Sequence, residues 1–234
     1  MDSLIFNEAL IKSKLFECDS PSRISLNDNF FTRSAVLFSI IPYENKPYDL
    51  ILIHRSNLGT RHRGEMSFPG GKFEEDKDKT LKDTALRETG EEIGASRENI
   101  KIIGCLDDFP TMTKYIITPF VAVIDKNQQL IREEREVQRI LKIPIDFFTS
   151  KTHFREQAVE VDGRKFPVFY FNYLDEDNGQ EYTVWGATAY MIVTFIETIY
   201  GFTLSSLGLK RFKLERIKDL KEYIEYRDRI TKKF

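Results

Sequence analysis

The 234-residue chain has only two cysteines, Cys18 and Cys105, and no CxxC pair. Thiols so far apart fit reduced side chains in a cytosol and argue against a disulfide scaffold or a structural zinc site. Long apolar runs are missing as well. No stretch reaches the ~18 apolar residues of a membrane span, and the opening MDSLIFNEALIKSKLF is broken by Asn7, Glu8, Lys12 and Lys14 where a signal peptide would stay apolar. The closing TKKF is no peroxisomal address. A cytoplasmic protein is therefore expected. Excess charge of either sign is also lacking: 35 Lys and Arg face 37 Asp and Glu, a formal charge of -2, which gives no global reason for nucleic acid or an anionic membrane as partner. Any basic site must be local. Neither an internal repeat nor a low-complexity linker is visible.

What is present is a core. At 41% hydrophobic, with nineteen phenylalanines and ten tyrosines, the chain can bury one aromatic-rich interior and form a single domain with embellishments. Leu4, Ile5, Ala9, Ile11 and Leu15 make an amphipathic helix for the outside of that domain. Arg33 to Ile41 and Asp49 to His54 read as a hairpin around Asn45 to Pro47. Ile100 to Leu106 and Thr118 to Ile124 are β-like, as are Ile140 to Ile145, Val168 to Tyr173 and Tyr182 to Trp185. A helix then runs to about Tyr200.

The most informative stretch is FPGGKFEEDKDKTLKDTALRETGEEIGA, Phe68 to Ala95. Its second half reads as a helix with Leu81, Ala85, Thr89 and Ile93 on one core-facing stripe, and Asp78 and Thr80 are both plausible N-caps. At about 100° per residue, Glu88, Glu91 and Glu92 share an arc beside that stripe. An acidic run of this kind is most often a solvated face. Three carboxylates at the edge of a core repel one another, however, and a hard divalent cation with oxygen ligands relieves that. Gly70 and Gly71 add a tight turn whose carbonyls can also reach a metal.

Arg87, Glu88, Glu91, Glu92 and Gly94, with Gly71 in front, resemble the signature Gly-x5-Glu-x7-Arg-Glu-U-x-Glu-Glu-x-Gly-U of the Nudix hydrolases, with U aliphatic. The spacing from Gly71 to Arg87 is two residues longer than the signature, Asp78 substitutes for the early glutamate, and Thr89 and Ala95 replace larger aliphatics. The resemblance implies an α/β fold, a mixed sheet between helices with the box as a loop-helix-loop. It also implies that Asp78 braces Arg87, that Glu88, Glu91, Glu92 and the carbonyl of Gly71 hold Mg²⁺ or Mn²⁺, and that a diphosphate is hydrolysed with Glu88, Glu91, Glu92 and Arg87 as the catalytic set. The general base stays open between Glu88 or Glu92 acting through water and a glutamate among Glu133, Glu134 and Glu136.

Upstream, Leu52-Ile53-His54-Arg55-Ser56 followed by Gly64-Glu65-Met66-Ser67-Phe68-Pro69-Gly70-Gly71 resembles the extended signature of the coenzyme A pyrophosphatase branch, Leu-Leu-Thr-x-Arg-Ser-x3-Arg-x3-Gly-x3-Phe-Pro-Gly-Gly. Thr60 stands where that motif has arginine. Arg55, Ser56, Arg61, His62, Arg63 and Lys72 then become the substrate-binding candidates, since guanidinium forks bind phosphate oxygens bidentately. The implied substrate is coenzyme A, cleaved to 3',5'-ADP and 4'-phosphopantetheine. Another nucleotide, such as ADP-ribose, a dinucleoside polyphosphate or a nucleoside triphosphate, stays open because of Thr60, as does a non-catalytic nucleotide-binding module.

Asp107 reads as a turn cap ahead of Pro110, or as an extra metal ligand. In Trp185-Gly186-Ala187-Thr188-Ala189, which also resembles the branch, small residues let a helix approach the sheet and the indole is expected to fill core. His153 has no evident partner. Lys210 to Phe234 carries ten basic and five acidic residues, with Leu214, Ile217, Leu220 and Ile224 at helical spacing, a helix for its own domain or for a homodimer more than for nucleic acid. The expected layout is an N-terminal helical embellishment over 1–30, the Nudix domain over 31–200 and the basic amphipathic helix over 201–234.

Overall fold

The computed structural model describes residues 4–57, 63–161, 164–208 and 216–231. Its main sheet starts from the hairpin: β1 (Thr32–Ile41) and β2 (Asp49–Arg55) pair antiparallel, with Ser39 opposite Ile51. Beyond that pairing the two strands diverge. Two short strands fill the gap, β3 (Met66–Ser67) on β2 and β4 (Gly70–Lys72) on β1. The box helix α2 (Leu81–Ile93) follows, then β5 (Ile100–Cys105), β6 (Phe109–Pro110) and β7 (Tyr115–Ile124). β7 runs parallel to β1 and β8 (Val137–Pro144) closes the other edge of β2, giving the mixed order β3-β2-β1-β7-β5 with β4, β6 and β8 attached. This is the expected α/β architecture.

β1 is apolar almost throughout because both faces of the sheet are covered. Ala35, Leu37 and Ile41 meet α2 residues Ala85, Leu86 and Ile93, whereas Phe38 and Ile40 face a larger, aromatic interior. That second interior is closed by α4 (Gly186–Tyr200), which follows a three-stranded sheet of β9 (Phe154–Val161), β10 (Arg164–Asp175) and β11 (Gln180–Trp185). Phe38 stacks on Phe195 of α4 at 4.6 Å and on Phe68 at 4.3 Å, so the turn before the box is anchored in the core. Between β8 and β9, α3 (Ile145–Thr149) packs Phe148 inward, and His153 is not alone but stacks on Phe147 at 4.5 Å.

Three expectations need correction. Cys18 and Cys105 are bonded to each other as a disulfide, not reduced; the bridge between Phe16 and Cys105 lays the N-terminal segment along β5 and brings the distant thiols together. Trp185 does not fill core. It is 43% exposed, because Tyr182 and Val184 take the inward positions of β11 and alternation turns Trp185 out. The N-terminal helix α1 is short, Glu8–Lys14, and buries only Ile11. At the other end, α5 (Arg216–Thr231) sets Ile217, Leu220 and the fully buried Ile224 against Leu26, Phe31 and Ile116, so its apolar stripe is covered by its own domain.

Candidate active site

The carboxylates of α2 are positioned by how the helix is fixed. Thr80 is its N-cap in a reciprocal capping box with Asp83, and Gly94 ends it in the left-handed conformation. Asp78 is left free to hold Arg87: the guanidinium donates to its two oxygens from Nε at 2.8 Å and Nη2 at 2.9 Å, while Thr84 Oγ1 and the Glu74 N–H donate at 2.9 and 3.1 Å. The expected brace is present. Asp78 is held well below the usual carboxylate range, first by the Arg87 hydrogen bonds, and Arg87 is correspondingly raised by Asp78. The same guanidinium reaches Glu88 at 2.9 Å and Glu91 at 3.0 Å, so one cation gathers two of the three box glutamates.

The Gly70-Gly71 turn has a steric reason. A Cβ on Gly70, whose φ is +152°, would meet the Ala35 carbonyl oxygen at 2.3 Å, and one on Gly71 would meet the Glu88 carboxyl carbon at 2.4 Å. With no side chain in the way, Gly70 N–H donates to Glu92 Oε2 at 2.9 Å. Arg55, at the end of β2, donates to the other oxygen of Glu92 at 2.9 Å. Of the three glutamates, Glu92 is the buried one, at 1% exposure.

Burial pushes the Glu92 carboxyl up to about 7, with Arg55 and the Gly70 N–H opposing and the charges of Glu88 and Glu136 adding to the push. Glu88 is raised too, first by burial, with Arg87 pulling the other way and Glu91 and Glu136 adding to the rise. Glu136 is thus the member of the downstream trio whose charge reaches the box. Its backbone is tied in, because Ser56 N–H donates to its carbonyl at 2.7 Å. Glu133 accepts from the Arg135 N–H and Glu134 pairs with Arg132. Nothing in the spacing of the three acids separates Glu136 from the others; the register of β8 on β2 does.

Among the described residues, no three Asp, Glu, His or Cys side chains form a ready-made metal cage. The donor set nevertheless suits a hard divalent cation: all oxygen and anionic, at the edge of the core, with Glu88 and Glu92 raised first by burial and further by neighbouring carboxylates that a cation would offset. The remaining candidates divide. Ser56 is buried beside Arg55, while Arg63 and Lys72 are exposed, the Lys72 carbonyl accepting from Arg87 Nη2 at 3.4 Å. Arg61, His62 and Thr60 lie outside the described residues. The Asp107 side chain accepts the N–H of the distant Ile24 at 2.8 Å, a tie to the N-terminal segment in place of the expected turn cap.

Nudix hydrolase 15, mitochondrial, of Arabidopsis thaliana is 32% identical over 170 residues, 72% of this chain but only 59% of that protein. Peroxisomal coenzyme A diphosphatase NUDT7 of Mus musculus is 31% identical over 184 residues, 78% of this chain and 75% of that one. A crystal structure of a C. elegans Ap4A hydrolase binary complex aligns with a TM-score of 0.42 and 18% identity, covering 48% of this chain and 80% of that chain. The NUDIX domain model matches residues 32–178, and the chain belongs to the Nudix hydrolase family.

Proposed function

We propose that the chain is a metal-dependent pyrophosphohydrolase that cleaves the diphosphate linkage of coenzyme A or its derivatives to 3',5'-ADP and 4'-phosphopantetheine. The observation that carries the reading is Glu92: a buried carboxylate, raised to about 7, held between Arg55 and the Gly70 N–H beside Glu88. A fold gains nothing from a buried carboxylate set against a second, partly buried one, whereas diphosphate hydrolysis does. The run from Arg55 and Ser56 to Phe68-Pro69-Gly70-Gly71 and the likeness to the mouse diphosphatase support coenzyme A as substrate.

Glu88, Glu91 and Glu92, with the Gly71 carbonyl, would hold Mg²⁺ or Mn²⁺. When bound, such a cation neutralises charge developing on the diphosphate and lowers the pKa of the attacking water. Arg87, locked by Asp78, keeps Glu88 and Glu91 on the working face of the helix. Arg55 and the Gly70 N–H hold the Glu92 carboxyl in one orientation. The water oxygen bonds to phosphorus as the bridging P–O bond breaks, and its proton passes to a carboxylate. Arg63 and Lys72 supply exposed positive charge for phosphate oxygens.

Thr60 favours a second reading, in which the same chemistry acts on another nucleoside diphosphate derivative. Hydrolysis of coenzyme A, dephospho-coenzyme A, ADP-ribose, diadenosine polyphosphates and nucleoside triphosphates with Mg²⁺ or Mn²⁺, followed by chromatography, separates the two. Preference for coenzyme A over dephospho-coenzyme A, with 3',5'-ADP as product, is expected. Preference for another member would move the substrate assignment and keep the chemistry, and no turnover of any member would overturn the enzyme reading.

A further inference from the structure

The side-chain oxygen of Ser67, on β3, is shut off from solvent, and among the described residues it has no hydrogen-bond partner. A buried hydroxyl left unpaired is costly to the fold. Alanine at the same place would avoid that cost, so the hydroxyl needs a reason.

Its place in the sheet supplies one. Ser67 lies opposite Ile53 of β2, and Ile53 packs with Ala85, Leu86 and Ile93 of α2. Met66 and Phe68, on either side of Ser67, point into the other, aromatic interior. Alternation therefore turns Ser67 to the face that carries the box helix. Arg55 follows Ile53 on that same face, and its N–H closes the strand pair on the Glu65 carbonyl, so Arg55 and Ser67 are diagonal neighbours across β2 and β3. Arg55 donates to one oxygen of Glu92, and Gly70, a short way past Ser67 in the chain, donates to the other. The unpaired hydroxyl is thus flanked by both donors of Glu92, one across the strands and one along the chain.

Turning a Glu92 oxygen to a divalent cation takes it from Arg55 or from the Gly70 N–H. The carboxylate then needs another donor to keep its orientation. A hydroxyl rotates to suit its acceptor, whereas an amide N–H fixed in a turn cannot follow.

We propose that Ser67 is a positioning residue of the hydrolytic site, its hydroxyl donating to the Glu92 carboxylate when a divalent cation is held. The inference rests on the pyrophosphohydrolase reading above, with Glu92 as a ligand. Groups that orient a ligand from behind set how firmly the metal is held. Ser67 does so without touching substrate.

The test reads Mn²⁺ binding to the full chain, by electron paramagnetic resonance of the free ion, beside the melting temperature in chelator. Ser67→Ala is expected to weaken Mn²⁺ binding by about ten- to a hundredfold, the scale for groups that support a metal ligand. Its melting temperature in chelator is expected to hold, because the hydroxyl it removes is unpaired there. Ser67→Cys restores the volume with a poor donor, and is expected to bind Mn²⁺ as weakly as the alanine variant. Wild-type affinity in Ser67→Ala, recovered affinity in Ser67→Cys, or a melting temperature in chelator that falls together with the affinity overturns the role. Unchanged binding in the variants of a protein that hydrolyses the panel would remove Ser67 and leave the enzyme reading. Weakened binding in the variants of a protein that hydrolyses none of it would overturn the enzyme reading and leave the positioning role standing.

Discussion

Two acids associated with helix α2 are almost equally buried, Asp78 at 4% exposure and Glu92 at 1%, and they are kept in opposite states. Asp78 receives four donors from Arg87, Thr84 and Glu74, and is held well below the ordinary carboxylate range. Glu92 receives two, from Arg55 and the Gly70 N–H, and faces the charges of Glu88 and Glu136, so that burial carries it up to about 7. Unequal satisfaction, together with the much deeper desolvation of Glu92, separates the two roles. A carboxylate with its lone pairs filled is a brace. One left short of donors among like charges costs stability that a cation would return.

The comparison can be broken from the bracing side. Asp78→Asn leaves Arg87 without its main partner, and breaking a buried pair in this way costs about 3–5 kcal/mol, read by urea unfolding at neutral pH. The cost should also depend on pH. The folded pKa of Asp78 lies below its unfolded value of about 3.9, so its contribution is complete well above that value and is lost as pH falls through the folded pKa. Wild type and Asp78→Asn should therefore converge in stability in acid, and a gap that stays constant would remove the ionic brace. Thr80→Ala tests the other fastening of the same helix. It deletes the acceptor for the Asp83 N–H and the hydroxyl that donates to the Asp83 carboxylate at an exposed cap, and should cost about 1 kcal/mol, only part of which fades in acid as Asp83 protonates.

Much of the bracing half was legible in the chain, because it is local. Thr80 as a cap and the stripe of Ala85, Thr89 and Ile93 follow from helical period, whereas the pairing of Asp78 with Arg87 follows only from the family resemblance and the part of Asp83 in the capping box only from the structure. The hairpin of β1 and β2 was legible for the same reason. What escaped depends on distant register. The Cys18–Cys105 bond joins residues 87 apart in sequence that only the packing of the N-terminal segment on β5 brings together. β9, Phe-Arg-Glu-Gln-Ala-Val-Glu-Val, is too polar to read as a strand until β10 pairs with it. Of the small residues after Trp185, Ala189 is fully buried in the interior, whereas a side chain at Gly186 would meet nothing and the glycine serves the left-handed start of α4. The indole precedes them at an outward strand position, and pattern alone did not turn it the right way.

The central claim is that Glu92 is retained for chemistry against the interest of the fold, and Glu92→Gln tests it most directly. The amide keeps the shape and removes a charge that burial disfavours, but it turns an NH2 toward one of the two donors, Arg55 or the Gly70 N–H, and takes the ionic partner from Arg55. Turnover with Mg²⁺ or Mn²⁺ is expected to fall by about two to three orders of magnitude, the scale seen when one electrostatic contact to a transition state is removed. The melting temperature without metal should fall by much less than in Asp78→Asn, because relief of the buried charge offsets the lost contact to Arg55. A variant that hydrolyses the substrate at the wild-type rate, or one that loses as much stability as Asp78→Asn, would make Glu92 a second brace and contradict the account.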